Sequence, residues 1–531
     1  MKKLIISLVT LLILQNTKAQ KVIINWGEES KKELSFGSFV NGKGTDMVKF
    51  CFDVKRKGFM GRNSTSTPVL TRFNDKLTEL NERAIEADEE GIKFNDILSI
   101  KGKIFLFTNQ YDKETKATTF FCQGINITTM EPEGKVINLG TFDAFKKSSQ
   151  ASVGYELSKD SSKILMFGNN AYKKDENEKY YISVLDNNMN KLWSKTIELP
   201  YKDKFVSIED HLITNNGKVG VLIKHYDQEV SRESVRKDGS KIPSYKTKML
   251  VYDKDNVAPV EYVLDLNNKF VHTLQLVDDK DEKLVLFGLY KEKHNGYING
   301  FFIANFDRTT KIVTTKNLNQ FPEALVEQIK IDKQGTDKES DPGLSNRFKL
   351  AEVVNRANGS KDFILEYSSE IYIPPTSFYN GTIWVTSGGY WKYDYGNIID
   401  INLQKDGKTI IARIPKMQSS RDVRIFSNFK ALPYKDKLLV FYNDDDDNID
   451  REITKKPDPL YKFNKSVFVM GVIDNTGNVS REILFRNRDN KLTTAVRECK
   501  RIDNSRIGLY AQKFGGLFAP AKDKVGIIEI Q

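Results

Sequence analysis

Cysteine is nearly missing from this sequence, with Cys51, Cys122 and Cys499 the only three. That excludes a disulfide framework and a thiolate metal cluster, and leaves room for one bridge at most. Histidine is almost as scarce. His211, His225, His272 and His294 form no H-E-x-x-H arrangement and stand at no zinc-ligand spacing from a cysteine. A G-x-S-x-G elbow, a P-loop and a dinucleotide fingerprint are all wanting. Enzymes that depend on those motifs are therefore excluded, whereas a glycosidase or lyase drawing two or three carboxylates from separate repeats is not. Past the first residues no run approaches about 18 apolar residues, so no apolar membrane-spanning helix is expected. Helical periodicity of any kind is rare.

The chain opens with Lys2 and Lys3, an apolar run over 4–14, and Thr17-Lys18-Ala19 before Gln20. This is the pattern of a secretory signal covering 1–19, its apolar stretch too short to span a bilayer. No cysteine lies near the cleavage position, so a lipid anchor of the lipoprotein type has no thiol to use. Net charge is +11, falling to +8 once Lys2, Lys3 and Lys18 leave with the signal. Lys and Arg are interleaved with Asp and Glu rather than gathered in a stripe, which argues against nucleic acid as a partner. With 39% hydrophobic and 11% aromatic residues, the chain has ample material for a core.

One phrase recurs: a turn of Gly, Asn, Asp or Lys, then a short apolar strand. It is seen at Gly102-Lys103-Ile104-Phe105, Lys163-Ile164-Leu165-Met166, Gly217-Lys218-Val219 and Lys283-Leu284-Val285-Leu286. Asp362-Phe363-Ile364, Lys437-Leu438-Leu439-Val440 and Arg506-Ile507-Gly508-Leu509 continue the series. A second strand ending in an acidic turn follows most copies, and further strands flank them, giving units of four strands, a to d. Units begin near 34, 94, 150, 204, 270, 346, 424 and 493. Short strands rich in Val, Ile, Phe and Tyr, bounded by Asn, Asp and Gly turns, predict an all-β chain. Radially repeated four-stranded units predict a single β-propeller over 20–531 with eight blades. Seven blades follow instead if the irregular first unit is not a blade, and a pair of β-sandwiches is the competing architecture. The last unit runs out after three strands, and Lys21-Val22-Ile23-Ile24-Asn25-Trp26 lacks a unit of its own. We expect that N-terminal strand to complete the C-terminal blade.

In an up-and-down blade the a–b and c–d turns share one rim and the b–c and d–a connections share the other. The long connections, 227–245, 374–389 and 443–465 together with an insertion at 319–345, all belong to the second rim and to units four to seven. Long loops on a rigid scaffold are where binding usually resides. On that rim Tyr390, Trp391, Tyr393 and Tyr395 are the candidate binding residues, offering rigid faces with polar edges to a sugar or a protein; aromatic alternation along an ordinary packed strand would give the same pattern. Asp444, Asp446, Asn448 and Asp450 place oxygens at alternate positions in the manner of a calcium loop, yet Ile449 stands where such a loop needs glycine, so a solvated acidic turn is the expectation and no metal or other cofactor is implied. The stretch 322–330 reads as a short amphipathic helix with Leu325, Val326 and Ile329 on one side.

The run Tyr393-Asp394-Tyr395-Gly396-Asn397-Ile398, with Ala412-Arg413-Ile414-Pro415-Lys416 and Leu438-Leu439-Val440-Phe441-Tyr442-Asn443 after it, resembles uncharacterised exported proteins of Bacteroidota. Asp474-Asn475-Thr476-Gly477-Asn478 and 496–514 extend the resemblance, which covers the C-terminal quarter. It implies a propeller-like fold and a Gram-negative envelope location, and brings no catalytic residues with it. Because Gly526-Ile527-Ile528-Glu529-Ile530 is needed as a strand, no sorting domain is expected after it. The periplasm is favoured, with outer-membrane association or extracellular release as alternatives. The function expected is non-enzymatic binding of an envelope protein or glycan through the long-loop rim; the alternative is a carbohydrate-active enzyme of glycoside hydrolase or lyase type, with acids at the central channel.

Overall fold

A computed structural model of the protein describes residues 21–30, 35–41, 47–57, 63–85, 92–143, 152–169, 174–229, 233–278, 284–306, 313–335, 342–379, 384–513 and 522–531. The signal-like segment 1–19 lies outside them. Eight antiparallel sheets of four strands follow one another, each hydrogen-bonded in the order a-b-c-d. The a strands of the first seven are Ser35–Asn41, Ile92–Ile100, Ser152–Leu157, Val206–Ile213, Phe270–Asp278, Phe348–Asn355 and Phe429–Tyr434. The irregular first unit is thus a complete blade, and the fold is an eight-bladed β-propeller rather than a pair of sandwiches. In blade 8 the inner strand is split into Thr493–Thr494 and Lys500–Arg501. Between the halves, a single turn of 3-10 helix at Val496–Glu498 takes the place of the strand expected around Val496.

Burial explains the alternation of sequence types. The b strands Val219–Tyr226 and Leu284–Lys291 are apolar on both faces because each lies between two neighbouring sheets. Outer strands such as Lys191–Lys202 alternate exposed and half-buried residues. Every neighbouring pair of blades shares an apolar cluster; Leu222, Met249, Leu274 and Phe302 join blades 4 and 5, and Phe287, Leu289, Phe363 and Ile399 join blades 5 and 6. The series closes at blades 8 and 1, where Phe39, Met47 and Phe73 pack with Tyr510 and Val525. Tight turns are closed by residues suited to them. Gly217 and Gly477 hold φ of +84° and +89°, a region that side chains disfavour. The Asp474 carboxylate accepts the Thr476 hydroxyl and the Asn478 side-chain amide, at 2.7 and 2.9 Å, and the backbone amides of both residues, at 2.8 and 2.9 Å. These bonds to its charged form hold Asp474 down to about 2. Cys51, Cys122 and Cys499 are buried, free thiols in blades 1, 2 and 8.

The first and last described strands meet. Val22–Glu29 is the outer strand of blade 8, antiparallel to Lys522–Ile530, with Val22 opposite Ile530 and Ile24 opposite Ile528. The Gln531 amide donates to the Lys21 carbonyl at 3.0 Å. Trp26 covers Gly526, where a Cβ would come within 2.7 Å of the indole, and meets Phe485 of blade 7 edge-on at 5.8 Å. Ile528 lies at the middle of this seam and is wholly buried. Ile528→Ala should therefore cost about 2–5 kcal/mol in urea unfolding, against less than about 0.5 kcal/mol for Val257→Ala at a fully exposed position.

Candidate functional site

The sheet order places the four long connections on one rim. In blade 4 the connection carries a small hairpin, Ser234–Lys237 with Ser240–Pro243. Between blades 5 and 6 the chain forms helix α1, Glu323–Ile331, started by Pro322 and seated through Leu325, Val326 and Ile329 on the core between those blades. In blade 7 the segment 445–466 is coil with brief helical turns. Blade 6 departs from expectation, because 374–389 is not a simple loop. Its b and c strands, Lys361–Ile373 and Tyr390–Leu403, keep pairing for six residues beyond the blade, roughly 20 Å at strand rise. A terminal hairpin, Thr376–Tyr379 with Trp384–Ser387, continues this arm, and residues 380–383 of the connection lie outside the described set. Gln418–Arg421 adds a third strand along Lys392–Tyr395.

Strand alternation divides the arm's residues between two faces. Trp391 and Tyr372 stand opposite each other at 46% and 49% exposure, their rings 5.6 Å apart. Tyr393 lies on the same face, 6.3 Å from Trp391 with the ring planes within 16°. Tyr390 points to the opposite face, where the Arg421 guanidinium covers its ring at 3.9 Å. Tyr395, in line with Trp391 and Tyr393, is only 2% exposed. It donates to Glu370 and accepts from Arg497, both at 2.8 Å. Burial and the neighbouring Glu370 push its phenol above the ordinary range. Tyr395 is therefore an anchor rather than part of a binding face, because its position falls where the arm enters the rim. Arg497 belongs to blade 8, so this contact reaches past blade 7; Arg424 adds a second ion pair to Glu370 at 3.2 Å.

Below the arm the rim is held by buried polar groups. Lys416, wholly buried, bonds Glu366 and Gln418. Gln418 donates to the Asn443 carbonyl at 2.7 Å, and the Asn443 amide reaches Phe426 and Thr494 carbonyls at 2.9 and 2.8 Å, linking blades 6, 7 and 8. Arg413 donates to Asp332 beyond helix α1, to Asn397 at 2.9 Å and to the Ile453 carbonyl at 2.6 Å. Such networks fix loops in place when each member is satisfied.

The calcium-like run folds onto itself and its neighbours. The Asn448 amide nitrogen donates to Asp444 at 2.8 Å, its oxygen accepts the Asp458 amide at 2.7 Å, and Asp446 pairs with Arg486. The run is a folded acidic turn in which Asn448 and Asp446 have partners, while Asp444 Oδ2 is buried with none. Asp444 is wholly buried and burial pushes it up to about 7.

The central channel is lined by the a strands. A cavity of about 330 Å³ touches Leu157, Leu212, Val277 and Val353, from blades 3 to 6. Glu156 is pushed up to about 8 by burial and by Asp210, which itself rises to about 6. Two of the channel acids have structural work. Each a strand in blades 2, 4 and 6 is bulged just before an acid, Asp96, Asp210 or Glu352. Asp210 accepts from the Leu276 amide at 2.7 Å and the Gln275 side chain at 3.0 Å in blade 5, and Glu352 accepts the Ala431 amide of blade 7. The pattern was readable as an acid two residues after Phe94, Ile208 and Leu350, once the repeats were aligned.

No family model matches the sequence, and no curated protein matches it. Among solved structures, the WD40 domain of SCAP from fission yeast aligns over 96% of this chain and 94% of its own at 7% identity and a TM-score of 0.40. The β-propeller domain of the trilobed protease from Pyrococcus furiosus aligns over 72% and 94% at 11% identity and 0.32. A protein of unknown function from Dyadobacter fermentans aligns over 72% and 94% at 9% identity and 0.31. The eight-bladed ring stands on the strand pairings described above.

Tyr395→Phe removes one donor and one acceptor at the arm's root, and should speed amide exchange in 368–373 and 390–395 by about tenfold, for about 1.4 kcal/mol of local stability. Exchange in blade 2 should stay unchanged. Asp444 gives a pH signature. Its native pKa lies above the unfolded value of about 4, so between about 4 and about 7 the native state holds a proton that the unfolded state does not. Stability should fall as pH rises through that window, and Asp444→Asn should flatten the slope of urea midpoint against pH.

Proposed function

We propose that this chain is an exported, non-enzymatic binding protein of a Gram-negative envelope, in the periplasm, holding a protein or glycan partner on the rim of blades 4 to 7. The observation that carries this reading is the arm of blade 6. A soluble hairpin ordinarily keeps Trp and Tyr against its own core, yet here Trp391 and Tyr372 stand half-exposed beside Tyr393 on one face. Large rigid rings with polar edges in this setting suit stacking on a sugar or anchoring a protein surface, and lose little side-chain entropy on binding. The buried Tyr395, held by Glu370 and Arg497, fixes the root of the arm, which lowers the cost of ordering it on contact.

Export rests on the pattern of 1–19 and on the Bacteroidota-like C-terminal quarter. Among the described residues no helix is long and apolar enough to cross a membrane. A glycosidase or lyase reading draws less support, because Asp210 and Glu352 are engaged by the backbone of the next blade. The test compares wild type with Tyr372→Ala/Trp391→Ala on immobilised envelope proteins and, separately, on immobilised envelope glycans. The double variant should retain its melting temperature and bind one of the two at least about tenfold more weakly, since exposed aromatics at a contact centre are worth about 2 kcal/mol or more. Equal binding by both proteins, or none by either, would overturn the reading.

A further inference from the structure

The seam where blade 8 meets blade 1 contains a polar pocket of about 290 Å³, away from the arm. Its floor is the ion pair of Lys49 and Asp523, at 2.8 Å, with both residues 3% exposed. Tyr510 donates to the same carboxylate oxygen, Oδ2, at 2.8 Å. The other oxygen, Asp523 Oδ1, is buried without a hydrogen-bond partner, and so is Thr71 Oγ1, in a residue 1% exposed. Both residues line the pocket. Unmet buried oxygens are rare and costly, and two on residues lining one pocket can be met by a donor placed there.

The chemistry of that donor follows from the walls. Phe73 and Leu77 give an apolar side, while Glu28, Glu29, Glu79 and Glu82 gather toward the mouth. Among the described residues of the lining, the cations are Lys49 and Lys524. Glu29 is drawn off by Lys513 and Lys522, and Lys49 is already matched to Asp523. Glu28 and Glu79 then stand against Lys524, which leaves a negative excess among the described lining residues. A hard metal ion is a poor fit, because among the described residues no three His, Cys, Asp or Glu side chains stand close enough to hold one. We propose that this pocket binds an ammonium or guanidinium group on a short aliphatic stem, its N–H donors meeting Asp523 Oδ1 and Thr71 Oγ1 and its stem lying on Phe73 and Leu77. The occupant bridges Asp523 of blade 8 and Thr71 of blade 1, so it also clamps the ring at its closure.

Calorimetric titration and thermal melting of the full chain test this with butylamine, agmatine and an acetylated, amidated Gly-Lys-Gly peptide, against xylose, succinate and calcium chloride. Binding of the free amines at roughly millimolar affinity or better, with a melting temperature that rises with ligand, supports the proposal and points to a small metabolite. Binding of the peptide alone supports it and points to a basic side chain of a partner. Thr71→Val removes one unmet oxygen, so the unliganded protein should melt at the same temperature or higher while affinity drops about tenfold. Glu79→Gln should weaken binding and reduce its salt dependence. The proposal is overturned if none of the cations binds, if only xylose or calcium does, or if Thr71→Val binds as tightly as wild type.

Discussion

Everything in this molecule depends on main-chain hydrogen bonding between its first and last described strands. A ring of sheets is stable only if no sheet is left with an open face, and blade 8 has three strands until Val22–Glu29 joins Lys522–Ile530. The pairing does more than cap an edge. Trp26 and Gly526 bring the outer strand onto blade 7 through Phe485, and the Tyr510 and Val525 side of the same blade packs on Phe39 and Phe73 of blade 1. Blade 8 therefore couples the first and the penultimate blades, and an opening there would expose apolar clusters on both sides. The buried Lys49 and Asp523 pair lies at the same junction. Such a pair adds little net stability over apolar packing, but it tolerates only one register of blade 1 against blade 8.

The rim of blades 4 to 7 is built on a different principle. Between blades 6, 7 and 8 the rim side is crossed by Lys416, Glu366, Gln418, Asn443 and Asn487. Apolar packing is non-directional and would let long connections slide. Directional bonds from buried amides and charges give each connection one arrangement. Helix α1, the c strand of blade 6 just below the arm and the segment 445–466 meet through Arg413, whose partners come from all three regions. The long connections are thus parts of one framework, and the exposed aromatic face stands on a fixed base.

How much of this was legible in the sequence follows from which interactions are local. Strand b of each blade is announced by a turn and a doubly apolar run, and the missing fourth strand of the last unit pointed to the N-terminal segment. Helix α1 was readable from Pro322 and the spacing of Leu325, Val326 and Ile329. The arm was not, because a b–c connection and a continued hairpin share the same composition; only the pairing of Ser368–Ile373 with Tyr390–Tyr395 distinguishes them. Burial of Tyr395 was hidden for a similar reason. Its partners, Glu370 and Arg497, lie 25 and 102 residues away, and alternation assigns a face to a side chain without saying where along the strand solvent ends.

The channel acids show why residue type alone misleads about chemistry in a repeat fold. Carboxylates from several blades facing a common axis are what a glycoside-cleaving site requires. In this ring the same residue type recurs because the inner strand is bulged. In blades 4 and 6 the bulge frees a position whose side chain reaches the backbone of the next blade, and an acid there satisfies an amide of that blade. Asp210 meets Leu276 and Glu352 meets Ala431 in this way. The acids therefore recur after the bulges of blades 2, 4 and 6, as structural residues do, whereas Tyr372, Trp391 and Tyr393 occur in one blade alone. Structural roles repeat with the architecture, and a feature that breaks the repeat while costing exposed apolar surface is the better candidate for function.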